Sequence, residues 1–230
     1  MNVLGIDTST PASAACLLRG DGEAFEVEPV PERLVERPGH AAELMPAVAE
    51  CIERSGLGWA ELDAIAVGIG PGPFTGLRIG VTTARALARS TGAQLRPVSS
   101  LAALAAGAAV EPGLDGEADV LAAIDARRGE VFAALYRDGA AVWGPLAAAP
   151  EAIAERLHGT GVAARAVGDG AVRFRDAFET VGADVAPGRS RVHVVRGAMV
   201  CRLAATVEPA PYEAVLPEYL RLPDAKPRTQ

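Results

Sequence analysis

The sequence predicts an α/β protein built from two related lobes in tandem. Three observations carry that reading. The order βββ-αβα is legible twice, with strands ending in Ile6-Asp7 and Ile124-Asp125, 118 positions apart, and turns at Asp21-Gly22 and Asp138-Gly139, 117 apart. Between the halves, Glu111-Pro112-Gly113-Leu114-Asp115-Gly116 has the composition of a linker. A length of 230 residues also suits two domains of about 100 residues each. The expected organisation is a first lobe over 1–110, a second over 117–222 and a flexible tail over 223–230.

The elements follow in order. Val3 to Asp7 is a strand; Thr8-Ser9-Thr10-Pro11 leads to a second strand, Ser13 to Leu18, and Gly20-Asp21-Gly22 turns it into a third, Glu23 to Glu28. Pro29, Pro31 and Pro38 interrupt the chain before a helix from about Ala41 to Arg54, closed by Ser55-Gly56. Ala64 to Ile69 alternates little, as a strand buried on both faces does. It enters Gly70-Pro71-Gly72-Pro73-Phe74-Thr75-Gly76 and then a helix to about Ser90, followed by a strand at Gln94–Pro97 and a serine-capped helix from Ser100. In the second half, strands at Val120–Asp125 and Glu130–Tyr136 precede a helix flanked by Pro150 and Gly159. A strand to Val167 follows, and Gly168-Asp169-Gly170 opens a further helix.

Composition excludes several chemistries. Of 22 basic residues only Lys226 is lysine, so a P-loop, a kinase lysine and a pyridoxal Schiff base have nothing to be built from. The net charge is −7, and residues 1–63 carry 12 acids against 4 arginines. With 4% aromatics this is not the profile of an autonomous nucleic-acid binder. Residues 163–202 reverse the balance with Arg165, Arg173, Arg175, Arg189, Arg191, Arg196 and Arg202, which read as a solvated surface or as weak RNA contacts. Cys16, Cys51 and Cys201 read as small buried hydrophobes in a reducing cytosol. The histidines His40, His158 and His193 lack metal-ligand spacing, and no nucleophile–histidine pair is legible, so peptidase chemistry has no support. No run is long enough to span a membrane and the N-terminus lacks a signal pattern, so the expected location is cytoplasmic.

Two features invite functional readings. The helix at 41–54 is apolar around most of its circumference: Leu44, Val48, Cys51 and Ile52 form one stripe, widened by Ala41, Met45 and Ala49. On the helix at 76–90, Gly76, Gly80, Thr83, Ala84 and Leu87 lie opposite an arginine-bearing face. Both faces suit either the chain's own sheet or another subunit. Asp7, Thr8, Ser9 and Thr10 at a strand end suit Mg²⁺–phosphate binding or a polar turn, and Asp125 is their counterpart in the second half. The Gly70–Gly76 loop suits an anion through its backbone N–H groups, but Pro71 and Pro73 each remove one and no lysine follows, so it reads as a structural turn.

The block from Gly70 to Gly80, GPGPFTGLRIG, resembles the signature of the TsaB (YeaZ) family of tRNA threonylcarbamoyladenosine biosynthesis proteins. Ile6-Asp7-Thr8-Ser9-Thr10, His40 with Leu44-Met45-Pro46, Val98-Ser99-Ser100-Leu101, the stretch Ile124–Phe132 and Tyr219-Leu220-Arg221 add to the resemblance. The resemblance implies an actin-like (sugar kinase/heat-shock-70/actin) fold of two tandem RNase H-like lobes. It implies a non-catalytic scaffold subunit that pairs with the paralog TsaD, which carries the metal and transfers threonylcarbamoyl to adenosine 37 of tRNA. An ATPase, TsaE, joins the heterodimer, and the chain forms a homodimer when alone. ATP and metal are expected on the partner subunits, with no intrinsic cofactor here and tRNA contacted only through the complex. The implied pairing surface uses the first two helices, and the residues assigned to it are His40, Ala41, Leu44, Met45, Val48, Gly76, Gly80, Thr83, Ala84 and Leu87. A bulky residue at Gly80 is expected to weaken pairing.

Departures from the wider pattern agree with a scaffold. His40 is followed at the next ligand position by Leu44, so the paralog's His-x-x-x-His is incomplete. Ser9 stands where nucleotide-binding relatives of the fold carry glycine; Pro73, in place of the commoner serine of the signature, reads as a tolerated change of turn. The alternative is an independent ATP-dependent transferase or hydrolase with Asp7 and Asp125 holding Mg²⁺ between the lobes.

Overall fold

The structure, a computed structural model, describes residues 1–111 and 119–221. Residues 112–116 of the expected linker and the expected tail at 223–230 lie outside the described residues.

The repeat is present. In the first lobe, strands β1 (Val3–Asp7), β2 (Ala14–Leu18), β3 (Ala24–Val27), β4 (Ala64–Gly70) and β5 (Gln94–Ser99) form one sheet in the order β3-β2-β1-β4-β5. In the second, β6 (Asp119–Arg127), β7 (Glu130–Arg137), β8 (Ala140–Ala148), β9 (Ala164–Val167) and β10 (Asp184–Val185) form the other, in the order β10-β9-β6-β7-β8. Each sheet is an antiparallel meander joined to parallel crossovers: β1 pairs antiparallel with β2 and parallel with β4, as β6 does with β7 and β9.

The helices are α1 (His40–Ser55), α2 (Phe74–Thr91), α3 (Ser100–Ala109), α4 (Pro150–His158), α5 (Asp169–Arg173), α6 (Arg175–Glu179) and α7 (Gly197–Ala204). Side-chain alternation along the strands sets the layers. Leu4, Ile6, Ile65 and Val67 face α1 and α2 in one core. Val3, Ala64 and Ala66 face the opposite way into a central core shared with Ala122 and Ile124 of β6. That central core is filled by α3 and α7, sandwiched between the sheets, while Leu121, Ala123 and Leu135 pack outward toward α4 to α6. Leu101 and Leu104 of α3 are fully buried there, each contributing about 2 kcal/mol by loss of apolar surface from water.

Helix α3 is capped by Ser99, whose Oγ accepts from Ala102 N at 3.3 Å; Ser100 is the first helical residue and its hydroxyl serves elsewhere. The sequence gives little sign of α7, a short helix late in the chain that packs on β1 and β2 of the first lobe. Small residues permit the contact. A Cβ on Gly5 would sit 2.8 Å from Gly197 O, and one on Gly197 would sit 2.7 Å from Cys16 N. Glu26 on β3 supplies the cap that α7 lacks on its own: its carboxylate accepts from Ala198 N at 3.1 Å and from Arg196 Nη2 at 3.1 Å. The three thiols are free and buried, and Cys201 Sγ donates to Val3 O and Cys16 O, each at 3.3 Å.

Candidate functional site

The turn after β1 is the first candidate. Asp7, Thr8, Ser9 and Thr10 are at most 1% exposed. Every polar side chain among them is turned inward. Asp7 Oδ1 accepts from Ser9 N at 2.7 Å and from Ser9 Oγ at 2.6 Å, and Asp7 Oδ2 accepts from Ser100 Oγ at 2.6 Å. Thr8 Oγ1 donates to Gly76 O at 2.7 Å, and Thr10 Oγ1 to Ala12 O at 3.3 Å. Burial pushes the Asp7 carboxyl above the usual carboxylate range, opposed by the hydrogen bonds from Ser100 and Ser9. The β4–α2 loop closes directly over this turn, since a Cβ on Gly72 would lie 2.7 Å from Ser9 O. Ser9 and Ser100 thus take up both oxygens of the Asp7 carboxylate from within the chain.

The equivalent turn after β6 is built from charge instead. Asp125 is buried, and its Oδ1 accepts from Arg127 N at 2.8 Å. Its Oδ2 takes Arg127 Nη1 at 3.0 Å and Arg173 Nη1 at 3.4 Å. Asp169, at the start of α5, accepts from Asp125 N at 3.0 Å. Burial raises the Asp169 carboxyl to about 6, helped by the neighbouring Asp125 charge and opposed by hydrogen bonds from the Asp125 and Gly170 backbone.

The second candidate is the pair α1 and α2, and here the structure corrects the sequence assignment. Leu44 and Val48 are core residues under α1, at most 1% exposed, and Ala84 is wholly buried under α2. Gly76 and Gly80 face β1, not solvent: a Cβ on Gly76 would meet Thr8 O at 2.3 Å, and one on Gly80 would meet Thr8 Oγ1 at 2.3 Å. A bulky residue at Gly80 therefore acts first on the chain's own packing, contrary to the expectation that it reports on pairing. His40 is buried as well. Of the assigned residues, Ala41 and Met45 are exposed and Thr83 and Leu87 half-buried. Trp59, which the sequence reading missed, joins them at 37% exposure, in a 3-10 turn just before β4. Met45, Trp59, Ala60 and Leu87 line a groove of about 410 Å³ between the helices. A second, more apolar cavity of about 470 Å³ lies between the helix N-termini, lined by Pro11, Pro38, His40, Ala42, Thr75 and Ile79 among others.

His40 also has a partner that spacing along the chain did not reveal. Ser13 Oγ lies 2.8 Å from His40 Nδ1, across 27 positions. Hence a serine–histidine contact exists where the sequence showed none. Its other ring nitrogen points at Gly76, 3.3 Å from where a Cβ would be, and burial lowers the His40 pKa. Among the described residues no group of three His, Cys, Asp or Glu side chains is placed to hold a metal, and no helix is long and apolar enough to cross a membrane.

Five of the seven arginines of 163–202, Arg165, Arg173, Arg175, Arg191 and Arg196, are engaged within the chain at 3.4 Å or less. Arg165 pairs with Asp184 at 2.6 Å, and Arg175 Nη1 reaches Glu179 Oε1 at 2.7 Å and Val185 O at 2.6 Å. Arg191 reaches Glu28 of the first lobe at 2.5 Å, and Arg196 reaches Glu26 at 3.1 Å. The acidic excess of residues 1–63 and the basic excess of 163–202 thus meet across the lobes.

Two meander-and-crossover sheets with a helix pair sandwiched between them define an actin-like, two-lobed α/β protein whose Asp7–Thr10 turn is closed by its own hydroxyls. A family model described as TsaD, tRNA N6-adenosine threonylcarbamoyltransferase, matches residues 30–222. An uncharacterized protein of Mycobacterium tuberculosis (strain H37Rv) is 35% identical over 226 residues, 98% of this chain and 94% of that one. The tRNA threonylcarbamoyladenosine biosynthesis protein TsaB of Haemophilus influenzae is 39% identical over 132 residues, 57% of this chain. That alignment spans 52% of the TsaB relative, and one with an uncharacterized Mycobacterium leprae protein spans 39% of its length. The solved structure of YeaZ from Pseudomonas aeruginosa superposes with a TM-score of 0.72 at 27% identity, covering 95% of this chain and all of that one. The chain belongs to the TsaB/YeaZ family.

Proposed function

We propose that this protein is a non-catalytic scaffold subunit in the biosynthesis of tRNA N6-threonylcarbamoyladenosine, pairing with a TsaD-type paralog that performs the transfer. One observation carries the reading: the Asp7–Thr10 turn, the chain's own candidate for Mg²⁺–phosphate binding, is at most 1% exposed with its side-chain polar atoms spent on the chain itself. Family membership supplies the pathway, through the name that the TsaB relatives carry.

The pairing surface in this reading is the exposed strip of α1 and α2 with Trp59: Ala41, Met45, Trp59, Thr83 and Leu87. Met45 at 41% and Trp59 at 37% exposure are large apolar side chains side by side in water, a cost removed by covering them. The same strip accounts for self-association in the absence of the partner. TsaE binds the assembled pair, and tRNA is engaged by the complex and not by this chain alone.

The test is reconstitution. Threonylcarbamoyl transfer by the paralog is expected to fall at least about tenfold when this chain is omitted or carries Met45→Glu with Leu87→Glu, whose charges must be desolvated on pairing. Undiminished activity without the chain overturns the scaffold reading. Calorimetry with Mg²⁺ and ATP separates it from an independent enzyme: micromolar binding that is lost in Asp7→Ala would replace it.

A further inference from the structure

The last described residues do something that the packing of neither lobe requires. After α7 the chain runs back along the first lobe, where Ala210 N donates to Leu95 O at 2.8 Å and Tyr212 Oη to Ala93 O at 3.3 Å. It then crosses between the lobes. Glu218 N donates to Ile69 O, near the carboxyl end of β4, at 2.7 Å. The Tyr219 ring stacks on Phe74 with centroids 5.0 Å apart, and its hydroxyl accepts from Arg78 Nε at 3.1 Å. The Arg78 guanidinium lies 3.8 Å over the other ring of that stack. Two residues further, Arg221 Nη1 donates to Ala126 O at 3.2 Å and pairs with Glu130 Oε2 at 3.0 Å, both at the β6–β7 turn of the second lobe.

We propose that Glu218–Arg221 is a strap that fastens the two lobes to each other and holds the first turn of α2 in place. Four consecutive residues reach both lobes, at the carboxyl ends of β4 and β6, the edge of the sheet where ligands enter α/β folds. The strap closes on backbone as well as side chains: Glu218 O lies 3.1 Å from where a Cβ on Gly70 would stand. Its contacts differ in kind at the two ends, a ring stack with an arginine on one side and an ion pair with a carbonyl on the other. Each end can therefore be cut by its own substitution, and the response of the opposite end read.

This separates a strap from two unrelated surface contacts. The experiment is hydrogen–deuterium exchange on the full chain carrying Arg221→Ala or Tyr219→Ala. In Arg221→Ala, amides of 126–130 are expected to exchange about tenfold faster, and those of 74–78, on the other lobe, to accelerate with them. Tyr219→Ala is expected to loosen the same two segments, and Tyr219→Phe, which keeps the stack and loses the Arg78 bond, to do so by a smaller factor. Amides of α3 and α7 keep their rates in all three. If each variant loosens only the segment it touches, or neither segment, the strap is overturned. Acceleration of α3 and α7 to the same degree overturns it too, because that is global loss of stability. No partner is needed, so this outcome and that of the reconstitution are independent.

Discussion

The turns after β1 and after β6 occupy the same place in the two lobes and are finished in opposite ways. In the first, Asp7 is held by hydroxyls and an N–H, with no cation in contact, and nothing of the turn is left to water. In the second, a buried Asp125 is held by two arginines whose side chains are about half exposed. The difference teaches how one duplicated plan is closed from within on one side and fastened by surface charge on the other. A neutral hydroxyl cage is insensitive to salt but leaves several donors stranded if its carboxylate goes. An arginine pair at the rim is screened and individually replaceable.

Four substitutions break or sharpen that contrast, taken from the largest expected effect down. Gly68→Ala places a Cβ 1.7 Å from Asp7 Oδ2 and 2.8 Å from Ser100 Oγ, so the whole cage must move. A loss of about 4 kcal/mol in urea unfolding is expected, and a loss under about 1 kcal/mol refutes the cage as a rigid unit. Asp7→Ala strands the Ser9 and Ser100 donors, for an expected loss of about 3 kcal/mol that persists at high salt.

Asp169→Asn comes next and has the opposite sign. Folding raises the carboxyl from its ordinary 3.8 to about 6, so the stability it contributes is present below about pH 4 and is lost as pH rises to about 6. The amide cannot ionise and keeps an oxygen for Asp125 N. The variant is therefore expected to be more stable than the parent at pH 7, by about 2 kcal/mol, with no gain at pH 4. His193 works the other way in both proteins. Burial lowers its pKa, so stability is lost as pH falls below about 6.5, and the difference between the two proteins cancels it. Thermal melts from pH 4 to 7 that run parallel for the two proteins contradict the assignment. Smallest is Arg173→Ala, where an ion pair more than half exposed on the arginine side is expected to cost under about 1 kcal/mol and to vanish in high salt.

Much of this was legible in one chain. The doubled strand order was readable because Asp-Gly turns punctuate both meanders at nearly equal spacing, and hairpin signals are local. The signature block at Gly70–Gly80 pointed to the family, whose membership the comparisons bear out. The pairing surface was not legible residue by residue. Leu44 and Met45 are neighbours of similar hydropathy, yet one is sealed against the sheet and the other stands in water, because successive helix positions are turned by about 100°. Gly76 and Gly80 looked like a smooth face for a partner and are instead the gap that admits Thr8. Nor did the sequence disclose Ser100 as the second arm of the Asp7 cage, 93 positions away.

What the sequence determined by itself is what short-range physics writes into it: strands, turns, helices, their duplication, and the lysine shortage that removes whole classes of chemistry. Tertiary structure alone decided which side of each helix faces water, that Glu26 caps α7 from 172 positions away, and that the closing residues return to bridge both lobes. The reason is range. Periodicity and turn propensity act over a few residues, whereas a buried carboxylate, a helix end or a cleft is completed by whatever part of the chain packing brings within about 3 Å.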